Sequence, residues 1–525
     1  MLTDEFHVFD TTLRDGAQRE GISYSVADKI AVARLLDQVG VGFIEGGWPG
    51  ALPKDTEFFA RAADGELELA NATLAAFGAT RKAGVAVQDD PQVKALLDAR
   101  TEVVVLVAKS DVRHVRRALR TTLEENLAMV GDTIAYLREH GRRVFLDCEH
   151  FFDGYRVDAD YGVRVLDAAA SAGAEVGVLC DTNGGSLPAG LGEIVAAVRQ
   201  RVGIRLGIHA HNDTGCAVAN TLAAVGAGVT HVQGTANGYG ERAGNANLFT
   251  VVGGLVTKLG LDVLPDGCLA ELSRVSRAIA EIANLVPDAH APYVGAAAFT
   301  HKAGLHASAI KVDREMYNHM DPAVVGNDQR ILVTEMAGRA SVELKSAELG
   351  VDVSGRPDVV SKVVEHVKVH EASGWSYEAA DASFELLLRD QLGEFIDPFH
   401  VESYRVITDR REDGELVSEA TVKVRAAGRR VISTEEGNGP VNALDRALRG
   451  ALAEAFPRLA EFKLTDYKVR ILPGNPGTDA ITRVLVGTSD GRREWTTVGV
   501  HANVIEASWL ALHDAVRYGL LGQRA

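Results

Sequence analysis

The sequence predicts an α/β protein: a closed (β/α)8 TIM barrel, then helical subdomains, then a C-terminal α+β domain of duplicated βββα units. Three observations carry that prediction. In the first half, short β-rich runs alternate with longer amphipathic segments. From about residue 260 to 390 the alternation stops and the pattern is mostly helical. Beyond about 395 a strand-strand-strand-helix unit occurs twice.

The runs of the first half are HVFD (7–10), VGFIEG (41–46), ANATLAAFG (70–78), EVVVLVA (102–108), RVFLDCE (143–149), EVGVLCD (175–181), RLGIHAH (205–211) and HVQGTAN (231–237). Between them, stretches such as VADKIAVARLLDQVG and LEENLAMVGDTIAYLREHG carry apolar residues three and four apart, the helical spacing. Strand–helix alternation implies a parallel sheet, and eight such units match a closed barrel. A doubly wound open sheet is the alternative, and the alanine-rich third run also suits a helix. The helical stretch has polar breaks near NLVPDAHAPYVG and KVDREMYNHMDP and is too long for a linker. The first repeat is YRVITD, ATVKVRA and RRVIST with the helix PVNALDRALRGALAEAF. The second is YKVRILP, TRVLVGT and REWTTVGV with the helix NVIEASWLALHDAVRYGL. One helix covers a three-stranded sheet only partly, so the two units are expected to pack together. The expected domains are 1–265, 266–390 and 391–525.

Composition narrows the class. A chain of 525 residues with a net charge of −17 argues against nonspecific nucleic-acid binding. The four cysteines, Cys148, Cys180, Cys216 and Cys268, form no C-x-x-C pair, which suits a reducing cytosol. The start MLTDEFHVFD lacks a signal-peptide pattern, and no apolar run is long enough to span a bilayer. The expectation is a soluble cytoplasmic protein with neither nucleic acid nor membrane as partner. No G-x-x-x-x-G-K-[ST] loop is present, so a nucleoside triphosphate is not implied.

Sites in such barrels lie at the C-terminal strand ends. Read off there are Asp10, Arg14 and Asp15, then Glu45, Lys109, Glu149 and His150, then Asp181, Thr182 and Asn183. His209 and His211 end the seventh strand, and Asn237, Glu241, Arg242 and Asn245 follow the eighth. His209 and His211 stand two apart in an extended segment and therefore face the same way. Two satisfied histidines would be the plain structural reading. Their pairing, the strand end and the neighbouring carboxylates favour a divalent cation such as Mn2+, Mg2+ or Zn2+. Asp10 and Asp15 are the candidate carboxylates, with an N-cap or an Arg14 pair as the plainer role for Asp15. Arg14 offers a permanent planar fork of donors where negative charge develops.

Together FDTTLRDGAQ, GIHAHNDTG and NGYGERAGN resemble the acyl-CoA-dependent Claisen-condensing family of metal barrels. That family includes 2-isopropylmalate, homocitrate and citramalate synthases, with 3-hydroxy-3-methylglutaryl-CoA lyase as a relative. The resemblance continues through HKAGLHASAI and the duplicated module, and FIEGGWPGALPKDTEFF is most similar to the citramalate branch. It implies that Asp15, His209, His211 and Asn245 hold the cation, which a 2-oxo acid chelates. Arg14 would steady the developing alkoxide, Thr182 would hold the oxo acid's carboxylate, and Glu149 would contact substrate near the reacting carbon. His306 and Tyr317, delivered by a partner subunit, would help remove the acetyl methyl proton. The resemblance further implies acetyl-CoA as co-substrate, a homodimer, and a regulatory C-terminal domain that binds an end-product amino acid, isoleucine here.

The implied reaction joins acetyl-CoA to pyruvate and releases (R)-citramalate and CoA, feeding isoleucine biosynthesis. The alternatives are 2-isopropylmalate synthesis from 2-oxoisovalerate, for leucine, and a non-catalytic amino-acid sensor on the same fold. Ala17 stands where many isopropylmalate synthases carry glutamate, which weakens that alternative. NGYGERAGNAN lacks the lyase's cysteine, which argues against cleavage. EEGNGP (435–440) and GVHAN (499–503) each precede a C-terminal helix and suit either a plain turn or an effector pocket. RHVRRALR (113–120) reads as a solvated helix face rather than a CoA-phosphate site, and Trp48, Phe58 and Phe59 as local packing.

Overall fold

The computed structural model describes residues 5–394, 397–472 and 480–521. Eight parallel strands close into a barrel: β1 (His7–Asp10), β2 (Phe43–Glu45), β3 (Thr73–Ala79), β4 (Val103–Lys109), β5 (Arg143–Glu149), β6 (Val176–Asp181), β7 (Arg205–Ala210) and β8 (His231–Gly234). The pairing of β8 with β1 removes the open-sheet alternative. The alanine-rich third run is a strand. Flanked by β2 and β4, with Ala75 opposite Val103 and Phe77 opposite Val105, its backbone groups are satisfied by ladders on both sides. That pairing overrides alanine's helical preference.

Alternation sorts each strand's side chains into two layers. Outward residues such as Val104, Leu106, Ile208 and Val232 pack against the helices in the larger core. Inward residues Phe9, Phe43, Phe77, Val105, Phe145 and Val178 fill the barrel's interior. On β7 and β8 the inward positions carry His209, His231 and Gln233 instead, all buried. Buried polar residues also share the parity of the inward phenylalanines: His7 on β1, Glu45 on β2 and Asp147 on β5. Several helices start where the sequence supplies a cap. Ser25 and Asp28 form a capping box on Val26–Val39, and Gly40 ends that helix with φ 82°.

The chain forms two compact units, Met1–Phe299 with Met320–Asp328, and Thr300–His319 with Gln329–Ala525. In the second unit, β9 (Thr300–His301) and β10 (Arg330–Ile331) pair in parallel. This short pairing interrupts the stretch expected to be mostly helical, which holds Gly304–Val312, Arg339–Glu348, Pro357–Ala372 and Asp381–Leu392. The duplicated module follows: antiparallel β11 (Phe399–Arg410), β12 (Leu416–Ala426) and β13 (Arg429–Gly437) with the helix Pro440–Leu452, then β14 (Lys463–Ile471), β15 (Thr482–Ser489) and β16 (Glu494–His501) with Val504–Gly519. Of the expected strand YKVRILP, Pro473 lies outside the described residues. Val422, Leu444 and Leu448 share one core with Trp495, Trp509 and Val516, so the two repeats pack together as expected. No helix among the described residues is long and apolar enough to cross a membrane.

Candidate active site

The loop after β1 is wound by its own polar residues. Asp10 accepts from the Thr12 N–H and hydroxyl at 2.8 and 2.7 Å, and Thr12 in turn accepts from the Ala236 N–H at 2.8 Å. Burial pushes the Asp10 carboxyl up to about 7, with the Thr12 hydrogen bonds pulling the other way. Asp10 therefore shapes the loop, while Arg14 and Asp15 turn toward the barrel mouth. The Arg14 Nε donates to Glu45 Oε2 at 2.6 Å, and its guanidinium lies 3.9 Å from the centroid of the Phe77 ring. Burial works against the Arg14 charge, but Glu45, Asp15 and Asp147 outweigh it and hold the proton more tightly than usual. For Glu45 burial prevails over Arg14, and its carboxyl rises to about 7.

His209 and His211 converge on Asp15. The Asp15 Oδ2 lies 3.0 Å from His209 Nε2 and 3.6 Å from His211 Nε2, and the two nitrogens are 3.3 Å apart. These side chains form the one group of three potential metal ligands among the described residues. Burial alone would raise Asp15, but Arg14 and then His209 hold it well below the usual carboxylate range. His211 is lowered to about 4, by burial and then by His209. Asn245 faces His211 in an isolated bridge and donates from Nδ2 to the Tyr239 carbonyl at 3.1 Å. Gly240, at φ 149°, is needed here, because a Cβ would fall 2.1 Å from the Asn245 amide nitrogen. The Asn245 Oδ1 and the His211 Nδ1 are both buried without a partner. Two imidazoles, a carboxylate and an orphaned amide oxygen make a donor set that fits a divalent cation.

Other strand-end residues divide between cavity and scaffold. A cavity of about 610 Å3 is lined by Arg14, Asp15, Glu149, Thr182, His209 and His211, among others. Glu149 is paired there with Lys109. The Thr182 oxygen accepts from the His150 N–H at 2.8 Å, which leaves the hydroxyl hydrogen to donate. Asp181 turns away to Ser186 and Asn237 to Ser276, whereas Glu241 and the Asp213-paired Arg242 line the cavity. Trp48 packs as expected, against the interior core and edge-on to Phe77 at 5.1 Å, but it also lines the cavity, and its indole N–H is buried without a partner. Its loop is anchored by Asp55, which accepts from the Trp48 N–H at 2.9 Å and pairs with buried Lys29. Arg116, Arg117 and Arg120 are exposed, as a solvated face requires.

Within the second unit, His306 and Tyr317 lie together, their rings stacked at 4.1 Å. Sequence reasoning missed Asp147 and Gln233, both at the heart of the site. The signal was present: Asp147 is two residues before Glu149, Gln233 two after His231, and each is a polar residue inside a strand expected to be buried.

The chain matches the HMGL-like family over residues 5–279, the homocitrate synthase post-HMGL domain-like family over 293–374, and the LeuA allosteric (dimerisation) domain over 378–520. It is 63% identical over 521 residues to the (R)-citramalate synthase of Streptomyces coelicolor, covering 99% of this chain and 97% of that one. The (R)-citramalate synthase of Synechocystis sp. is 50% identical over 98% of this chain and 96% of its own length. A probable 2-isopropylmalate synthase of Methanopyrus kandleri is 33% identical over 97% of each.

Proposed function

The chain belongs to the family of (R)-citramalate synthases within the HMGL-like barrels, and on that premise we propose that it condenses acetyl-CoA with pyruvate, hydrolyses the thioester, and releases (R)-citramalate and CoA toward isoleucine. The observation that carries the reading is the gathering of Asp15, His209 and His211 beside the Arg14 guanidinium at a cavity of about 610 Å3. Asp15, His209, His211 and Asn245 would hold a divalent cation. When bound it supplies Lewis acidity that polarises a keto group, worth several kcal/mol of charge stabilisation.

The chain's own residues do the rest. Arg14, clamped by Glu45 and lying on Phe77, presents fixed donors where an alkoxide forms and has no reorganisation to undergo at that moment. Thr182 donates its hydroxyl to the acceptor's carboxylate. Glu149, held by Lys109, orients the acetyl group near the reacting carbon. His306 and Tyr317 act as a stacked pair that takes the methyl proton, in a site completed by the partner subunit of a homodimer. The dimerisation-domain match supports the homodimer, and four unpaired cysteines support a cytoplasmic setting. The C-terminal domain is a regulatory module, with isoleucine as the effector that the pathway suggests.

A single panel tests the reading: release of CoA thiol with pyruvate, 2-oxobutyrate, 2-oxoisovalerate and 2-oxoglutarate as acceptors. Pyruvate is expected to give the highest kcat/KM. A preference for 2-oxoisovalerate would transfer the assignment to 2-isopropylmalate synthesis, and no release with any acceptor would leave an amino-acid sensor.

A further inference from the structure

Gln233 stands on β8 at the barrel axis, 1% exposed. A buried amide must place one accepting oxygen and a donating NH2 group without help from bulk water. Its Nε2 donates to Asp147 Oδ1 at 3.0 Å and lies 3.4 Å from His231 Nε2, while its Oε1 lies 2.8 Å from His209 Nδ1. Partners decide which way an amide points. A carboxylate only accepts, so the NH2 end faces Asp147 and the oxygen faces His209. An amide oxygen also only accepts, so a His209 hydrogen sits on Nδ1. Nε2, 3.0 Å from Asp15 Oδ2 and 3.3 Å from His211 Nε2, is then the atom left to give its lone pair to a cation, which would displace the proton shared with Asp15.

From this geometry we infer that Gln233 is a positioning residue: braced by Asp147, it locks His209 in the tautomer and ring plane that present Nε2 to the cation. The inference rests on the reading of Asp15, His209 and His211 as cation ligands. The same Asp147 carboxylate lies 4.0 Å from Arg14 Nη2. One group from β5 thus steadies both a ligand on β7, through β8, and the guanidinium on the loop after β1. Plain filling of the barrel would call for an apolar side chain here, as Val105 and Phe145 provide on β4 and β5, because burying an amide is costly unless its partners are in place. His211 has no such brace, since its Nδ1 has no partner. The effect of Gln233 therefore runs through His209 alone.

The test is a Co2+ titration of the metal-free, full-length protein, read by visible absorption and competition, with a melting curve of each metal-free variant. Gln233→Met removes the acceptor at similar volume and is expected to weaken Co2+ binding about 10–100-fold, the usual cost of losing an outer hydrogen-bond partner, and to alter the cobalt spectrum. Gln233→Glu keeps an oxygen facing Nδ1–H and, by sharing one proton with the adjacent buried Asp147, keeps the donor toward it as well, so it is expected to bind within about threefold of wild type. If Gln233→Met does not fold, Gln233→Asn, too short to reach Nδ1, carries the same expectation. Wild-type affinity and spectrum in Gln233→Met, or an equal loss in Gln233→Met and Gln233→Glu, would overturn the positioning role. A His209→Ala control separates the two levels. Co2+ binding unchanged in His209→Ala, or absent from wild type, overturns the ligand reading beneath. Binding lost in His209→Ala but intact in Gln233→Met overturns the positioning role alone.

Discussion

Replacing Arg14 by lysine keeps a positive charge beside Glu45 but removes the planar fork. In the folded protein Nε is committed to Glu45 at 2.6 Å, the group lies 3.9 Å from the Phe77 centroid, and Nη1 and Nη2 approach Asp15 and Asp147 at 3.5 and 4.0 Å. One edge of the guanidinium is therefore occupied, and the other remains for an oxygen in the cavity. Lysine has a single nitrogen. Engaged with Glu45, it leaves the cavity without a donor; turned to the cavity, it strands a fully buried carboxyl. That carboxyl already sits at about 7, because burial raises it more than Arg14 lowers it. Near neutral pH it would take up a proton rather than unfold the barrel. Arg14→Lys should then fold, with a small loss in Tm, and lose about 10²–10³ in kcat, the 2.7–4 kcal/mol typical of one oxyanion donor. Because the contact strengthens as charge develops, kcat and kcat/KM should fall together. The assay is the initial rate of CoA thiol release at saturating acetyl-CoA and pyruvate, beside a melting curve. A variant that kept more than about a tenth of wild-type kcat at an unchanged Tm would refute the reasoning.

His209→Ala and Asp15→Ala should each abolish turnover and divalent-cation binding while near-wild-type melting of the metal-free protein is retained; substantial activity in chelator-treated His209→Ala would contradict this. Mixing inactive His209→Ala and His306→Ala subunits should restore activity, to about a quarter of wild type for random dimer exchange, since one site of each mixed dimer is then intact; no recovery after proven exchange would remove the cross-subunit role of His306. Asp10 yields a pH prediction. Its carboxyl rises from 3.8 to about 7 on folding, chiefly through burial, so it holds its proton more tightly folded than unfolded. Its contribution to stability is whole below its unfolded value and is lost as pH climbs through the folded one, about 4 kcal/mol in all. The difference in urea-unfolding free energy between wild type and Asp10→Asn should therefore shift in favour of the variant by about 3 kcal/mol from pH 5 to pH 8; a pH-independent difference would rule out the raised carboxyl.

Much of the site was legible because its signals are local. Period-two geometry in an extended segment puts His209 and His211 on one side wherever the strand goes. The strand-end rule then brings the loop of Arg14 and Asp15 to the same face as the histidines. The alanine-rich run at β3 and the two-residue pairing of β9 with β10 were less legible, since each exists through hydrogen bonds to distant chain rather than through its own residues. Trp48 read as packing, which it is, but nothing in its sequence neighbourhood says that it will also line the cavity beside Phe77, from the next strand.

Alternating strands and helices, the H-x-H spacing and the doubled βββα pattern were thus written in the order of residues, since each depends on backbone geometry over a few positions. Ring closure between β1 and β8, the clamp of Glu45 on Arg14, and the bridge from Asp147 through Gln233 to His209 were decided by tertiary structure alone. These contacts join residues far apart in the chain. Their energies arise only once the barrel has excluded water and left each buried polar atom to find its partner among the others.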